Sequence, residues 1–168
     1  PFFGLSIHLM NEFIDDGPII YQNKFRNKGQ NSREIVEKCN THIEKNLSKI
    51  IKKFLKNKIK PKPQKKSLAT WVCKRNLDDC IINFNQSILE IDLFFKALVE
   101  PYPLPRIKIN DRLIEVTDYQ LLKAKYYTTI GTVINIENKS IWIKVNDGIL
   151  ILRKARDPLT KNDVNLKD

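Results

Sequence analysis

Between Asn31 and Asn57, apolar residues recur at Ile35, Val36, Cys39, Ile43, Leu47, Ile50, Ile51, Phe54 and Leu55. That three-to-four spacing lays a single stripe along a helix and demands a surface to bury it. Asn31-Ser32-Arg33-Glu34 supplies a capping residue and, three positions on, the glutamate of a capping box, so the pattern predicts a helix from about Ser32 to Asn57. Pro61 and Pro63 follow and deny it any continuation. Residues 5–10 and 19–25 read as strands before the helix. Two strands and one helix form a poor core by themselves, which makes residues 1–57 the expected latter part of a larger α/β sheet.

Beyond the proline-containing segment 58–67 the period changes. Ala69-Thr70-Trp71-Val72 reads as a short strand or extended arm. A second capping box, Ser87 with Glu90, opens a helix that turns Ile88, Ile91, Phe94, Phe95 and Leu98 inward and stops at Glu100-Pro101-Tyr102-Pro103. From Ile107 onward apolar residues alternate, around a turn at Asn110-Asp111 and hairpin turns at Glu137-Asn138-Lys139 and Asn146-Asp147-Gly148. Short strands at even spacing predict a small barrel or sandwich over residues 68–155. Residues 156–168 read as a polar, frayed tail.

The net charge of +11 is concentrated rather than spread. Lys45, Lys49, Lys52, Lys53, Lys56, Lys58, Lys60, Lys62, Lys65 and Lys66 occur in one segment that holds no acid. Such a run suits phosphate oxygens, although a solvated helix face leading into a linker is the favoured account. No apolar run approaches the roughly 20 residues that span a bilayer, and no signal peptide is evident. The odd set Cys39, Cys73 and Cys80 has neither metal-ligand spacing nor a nearby histidine, so no metal is expected and a reduced, cytoplasmic setting is the default. Nucleotide-binding glycine loops and a nucleophile elbow do not occur.

The stretch Gly4-Leu5-Ser6-Ile7-His8, followed by Asp15-Asp16-Gly17-Pro18-Ile19, reads as a strand, an acidic loop and a second strand. It resembles the G-x-(S/T)-x-H … D-x-G-x-I signature of the folate-dependent formyltransferases, which include methionyl-tRNA formyltransferase and the sugar N-formyltransferases. Ala69-Thr70-Trp71, Lys74-Arg75, Asp78-Asp79 and Ile82-Asn83-Phe84 are similar to the family's A-T-Y … K-R … D-G-x-I-D-W segment. Pro101-Tyr102-Pro103 resembles its P-(Y/W)-P-G-A element, and Gly131-Thr132-Val133 with Asp147-Gly148-Ile149-Leu150 its final hairpins. The likeness covers about residues 4–153 in order. Asn83-Phe84 and Leu104-Pro105 depart from the family's Asp-Trp and Gly-Ala.

The resemblance implies an α+β chain: a remnant of a Rossmann-like formyltransferase domain (strands plus one long helix), then a small OB-like β-barrel. It implies transfer of a formyl group from 10-formyltetrahydrofolate to a primary amine. Asp15 then stands at the catalytic carboxylate, with His8 supporting it. Asn11, Glu12, Phe13 and Ile14 line the pterin pocket, and Lys74, Arg75 and Tyr102 contact the acceptor. A nucleotide-linked amino sugar is slightly favoured as that acceptor over initiator methionyl-tRNA. A non-catalytic OB-like module that binds nucleic acid, with Trp142, Tyr126 and Tyr127 as stacking candidates, is the alternative from another class. The family's N-x-H-x-S-L-L-P segment, source of its oxyanion-stabilising Asn and His, is not among these residues, and the first residue is Pro. The expectation is a fragment, a split-gene product or a decayed relative. It would be nearly inactive alone and completed by a separate chain that carries the amino-terminal half.

Overall fold

The computed structural model describes residues 1–109 and 112–166, so the expected Asn110-Asp111 turn lies outside the described residues. The chain divides into two compact units, Pro1–Lys74 and Arg75–Asp168. Both are α+β and are built on antiparallel sheet. No helix among the described residues is long and apolar enough to cross a membrane.

In the first unit, β1 (Phe2–His8) and β2 (Ile19–Arg26) form an antiparallel ribbon that pairs Phe2 with Arg26 and Ile7 with Tyr21. The register slips between Ile7 and His8, so that His8 faces Ile19. Helix α1 (Ser32–Leu55) follows, and its start carries the expected capping box: Glu34 N–H donates to Asn31 Oδ1 at 3.0 Å and Asn31 N–H to Glu34 Oε2 at 2.8 Å. The helix ends when Asn57 takes a left-handed φ of 55°. Lys58 N–H then reaches Lys53 O and Asn57 N–H reaches Phe54 O, which satisfies the last carbonyls.

The predicted stripe is only partly covered. Ile50 is buried, but Val36, Leu47 and Ile51 stand well exposed and Leu55 is 72% exposed. The ribbon meets α1 instead along a face that includes His42. Tyr21 Oη and His42 Nε2 share a 2.7 Å hydrogen bond, and Phe25 meets the His42 ring edge-on. Lys38 Nζ lies over the stacked rings of Phe3 and Phe25. Tyr21 and Phe25, four residues apart on one face of β2, select that contact, because two strands are too narrow to cover a full helical stripe.

In the second unit, α2 (Ile88–Ala97) packs on one sheet made of β3 (Arg106–Ile109), β4 (Arg112–Lys123), β5 (Val133–Glu137), β6 (Ser140–Val145) and β7 (Gly148–Arg156). Strand order is β3-β4-β7-β6-β5, antiparallel throughout. Ile91 and Phe95 of α2 join Ile107, Ile114, Val116, Val145, Leu150 and Leu152 in one buried cluster. The β5–β6 turn uses positive φ at both Asn138 and Lys139, the geometry that matches strand twist. Asp147, in the next turn, accepts the Ile88 N–H through Oδ1 at 2.7 Å, so one hairpin also caps α2.

The expected frayed tail is in fact folded. Val164 N–H bonds to Ala155 O, Arg156 bridges to Asp163, and Leu166 enters the core. Asp157 organises the return: its carboxylate accepts from the Thr160 and Leu159 amides and from Arg112. The Thr160 amide first, then the Arg112 guanidinium, hold that carboxyl down to about 2. Two apolar residues, Val164 and Leu166, in a polar tail are the signal that composition hides.

The tail is further tied by Glu115, only 2% exposed on β4. Its carboxylate accepts from Arg106 Nη2 at 2.8 Å, Arg156 Nε at 2.9 Å and Lys161 Nζ at 3.0 Å. Burial pushes this carboxyl up, but the three cationic donors outweigh it and hold it below the ordinary range. A depressed folded-state pKa stabilises above the unfolded value of about 4.3 and loses that contribution as pH falls through the folded value. Stability of the second unit against urea should therefore fall from about pH 4 downward, and Glu115→Gln should make that slope shallower, leaving the part due to Asp157, while costing about 3–5 kcal/mol at pH 7. An unchanged pH profile in Glu115→Gln would contradict the assignment.

Candidate functional site

Of the two predicted catalytic side chains, His8 ends β1 and Asp15 lies in the ten residues between β1 and β2. Leu9 N–H donates to Pro18 O at 3.0 Å and closes the base of the loop. That closure is possible because residue 17 is glycine. A Cβ built there would lie 1.6 Å from Leu9 O and 2.9 Å from His8 Nδ1. The loop backbone therefore presses directly on the end of β1 and on the His8 ring. Asp15 takes a left-handed φ of 53°, a conformation that short acidic residues tolerate better than most.

His8 is held in a defined orientation. Its Nδ1 lies 2.9 Å from Leu9 O, and a carbonyl only accepts, so Nδ1 carries the proton. Nε2 then points to Asp15, 3.6 Å from Oδ1. That is ion-pair range only when the ring carries both protons, because an unprotonated Nε2 and a carboxylate are both acceptors. His8 is part-buried, whereas the Asp15 side chain is 89% exposed. The pair thus offers a solvent-facing carboxylate backed by an oriented imidazole, suited to accept a proton from a group that arrives from outside.

Asp15 opens on a cleft of about 1460 Å³ within the first unit. One side is the loop, with Phe13, Ile14 and Asp16. The chain from Lys58 to Val72 runs against that loop and contributes Lys58, Lys60, Lys62, Lys65 and Lys66. That chain is anchored: Ile19 and Lys62 exchange backbone hydrogen bonds of 2.8 and 2.9 Å, and Gln64 Nε2 donates to Asp15 O at 2.7 Å and to Gly17 O at 2.9 Å. Lys66 Nζ lies 5.8 Å from the Phe13 ring centroid and 4.0 Å from Asp16 Oδ2. Leu68, Trp71 and Val72 continue the lining and are strongly exposed, Trp71 by 84%. Residues 69–72 form no strand.

The four loop residues expected at a pterin pocket are all exposed beside Asp15. Asn11 Oδ1 accepts the Phe13 N–H at 3.1 Å, which turns the loop. Phe13 and Ile14 present apolar side chains to the cleft, while Glu12 is exposed. Lys74 closes the first unit and Arg75 opens the second, both exposed. Tyr102 lies exposed in the loop between α2 and β3. The structure therefore brings His8, Asp15, Phe13 and Ile14 together, and Lys74, Arg75 and Tyr102 lie outside that cleft lining. Gln64 was not singled out from sequence. A lone polar residue among lysines and prolines carries no periodic signal, and only the folded chain shows what it grips.

The profile of the family described as "Formyl transferase, C-terminal domain" matches residues 75–166. The chain is 28% identical to the methionyl-tRNA formyltransferase of Blochmanniella floridana over 158 residues, which is 89% of this chain and 48% of that protein. It is 28% identical to the methionyl-tRNA formyltransferase of Rickettsia bellii, covering 91% of this chain and 49% of the other. The chain spans about half the length of the curated relatives it matches. Among solved structures, HypX from Aquifex aeolicus in complex with tetrahydrofolic acid superposes with a TM-score of 0.68 at 15% identity, over 94% of this chain and 28% of that one. An N-formyltransferase from Helicobacter canadensis, in complex with folinic acid and dTDP-3-aminofucose, superposes with a TM-score of 0.58 at 19% identity, over 90% and 55% of the two chains.

Gly17→Ala is expected to break the loop closure, because the new methyl group meets backbone atoms that cannot rotate away. Thermal melts should show a loss of several kcal/mol or an unfolded first unit. Gly29→Ala makes a useful contrast: it has a left-handed φ of 96° but open space around it, so about 1 kcal/mol is expected. Equal effects at the two positions would contradict the close approach.

Proposed function

The chain belongs to the folate-dependent formyltransferases and carries their carboxy-terminal domain, and from that premise we propose that Asp15 is the proton-accepting carboxylate of a formyl transfer. A neutral amine attacks the formyl carbon of 10-formyltetrahydrofolate, the bond from that carbon to the folate nitrogen breaks, and the products are a formamide and tetrahydrofolate. The attacking nitrogen must shed a proton in the process, and a solvent-facing carboxylate is placed to take it. The observation that carries this reading is the Gly17-dependent loop that sets Asp15 against His8 at the edge of a cleft.

Phe13 and Ile14 suit one face of a pterin ring, with loop backbone groups for its polar edge. In this reading the first unit is part of a Rossmann-like α/β domain and the second an OB-like domain. Residues 58–74, which belong to the first unit, form the connector, and the second domain runs on through the folded tail. The half-covered apolar stripe of α1 supports the first assignment, since it asks for more sheet than the ribbon supplies.

The acceptor favoured here is the amino group of an aminoacyl-tRNA, methionyl-tRNA first. Methionyl-tRNA formyltransferases align along about nine-tenths of the chain, and five lysines rim the cleft beside Asp15. A nucleotide-linked amino sugar is the second reading, favoured by the fold shared with a sugar N-formyltransferase and by exposed Tyr102. A binding module without catalysis would rest on the exposed Tyr126 and Tyr127.

The test is formyl transfer, measured on these 168 residues alone and after fusion to an amino-terminal family half that carries the N-x-H segment. Little transfer is expected alone. Fusion should restore it toward methionyl-tRNA, and Asp15→Asn should then lower the rate by about 10²–10⁴. Full activity in Asp15→Asn would remove the reading. tRNA affinity should fall steeply with salt, and Lys60→Glu with Lys62→Glu should reduce the slope by about two phosphate contacts. A flat salt response with transfer to an amino sugar would move the acceptor to the second reading. Salt-sensitive RNA binding with no transfer from the fused protein would favour the binding module.

A further inference from the structure

Gln64 belongs to the connector segment, 49 residues from Asp15 in sequence, yet its side-chain amide grips the acidic loop. Both hydrogens of one nitrogen are used, one on Asp15 O at 2.7 Å and one on Gly17 O at 2.9 Å. The two carbonyls flank Asp16, so the amide spans the bend that follows the left-handed Asp15. Gln64 is itself fixed, since two residues earlier Lys62 is paired with Ile19 through both of its backbone groups. The loop is thus held from two sides, by Gly17 against Leu9 and by the connector across the bend. Only the second of these restrains the Asp15 peptide itself.

We propose that Gln64 is a positioning residue for Asp15. It uses both amide hydrogens to hold the loop in the conformation that turns the carboxylate toward His8 Nε2 and the cleft. This rests on the catalytic reading of Asp15 for its functional meaning, while the grip itself stands on the geometry alone. Carbonyl oxygens repel a second acceptor, so the role requires a donor at position 64 and a side chain of this length. Glutamate keeps the shape and loses the donors. Methionine keeps the volume and loses them too. A residue that merely fills space would tolerate methionine.

The experiment is amide and side-chain NMR on the 168-residue chain, comparing wild type with Gln64→Met and Gln64→Glu. In wild type the Gln64 side-chain NH₂ should exchange with solvent about tenfold more slowly than the other glutamine side chains. A cross-relaxation contact should link the His8 ring to the Asp15 side chain. Both variants should shift the amide resonances from Phe13 to Gly17 and lose the His8–Asp15 contact, while the resonances of the second unit stay in place. If either variant unfolds the first unit, the wild-type exchange rate decides the question. Fast exchange of the Gln64 NH₂, or a folded Gln64→Met whose loop resonances and His8–Asp15 contact match wild type, would overturn the proposal. In the fused enzyme, Gln64→Met should lower kcat more than it changes KM, with little further loss when combined with Asp15→Asn. Full activity in Asp15→Asn would remove the catalytic reading but leave the NMR outcome to judge the grip.

Discussion

A loop that brings an aspartate back onto the end of the preceding strand needs two backbones closer together than any side chain permits. Here that approach is made by Gly17 against Leu9 and His8. From it follow the bond between Leu9 and Pro18, the exposed position of Asp15 and its distance from the His8 ring. The D-x-G pattern is thus a steric requirement as much as a chemical one. The glycine allows the close approach, and the aspartate two residues earlier occupies the left-handed position that the tight path creates.

The connector is more than a tether. Its prolines and lysines suggest an extended solvated strand, and the chain is extended, but Lys62 and Gln64 fasten it to the exit of the acidic loop. Fixing it there puts lysines beside the two acidic side chains, so cationic and anionic groups share one cleft. Exposed charges at that range are screened by water and salt. They therefore contribute little to holding the unit together.

The second unit relies on a different interaction. A single buried carboxylate, Glu115, takes three cationic donors from β3, β7 and the returning tail. Replacing Glu115 leaves the Arg106 charge in a place with little water, whereas the half-exposed Lys161 is the most dispensable of the three donors. The tail is consequently part of the fold, with Leu166 in the core and Asp157 tying its turn together.

Much of the local structure was legible in the sequence, because it depends on neighbours in the chain. Both capping boxes, the helices they open at Ser32 and Ile88, the stop near Asn57 and the turn at Asn138-Lys139 come from short-range chemistry. The ordered motifs also pointed to the family, and His8 and Asp15 do meet. What short-range pattern could not supply was which apolar face would find a partner. The ribbon covers His42 and leaves Leu55 bare, because its width and its aromatics choose the contact. Nor does composition show that Val164 and Leu166 pull a polar tail into the core, or that Glu115 sits inside it. Gln64 is the clearest case. The sequence determines that position 64 is a side chain with two donor hydrogens after a rigid Pro63, but only tertiary structure decides that those hydrogens meet the carbonyls of Asp15 and Gly17. Hydrogen bonds between residues 47 and 49 positions apart depend on the path of everything between them.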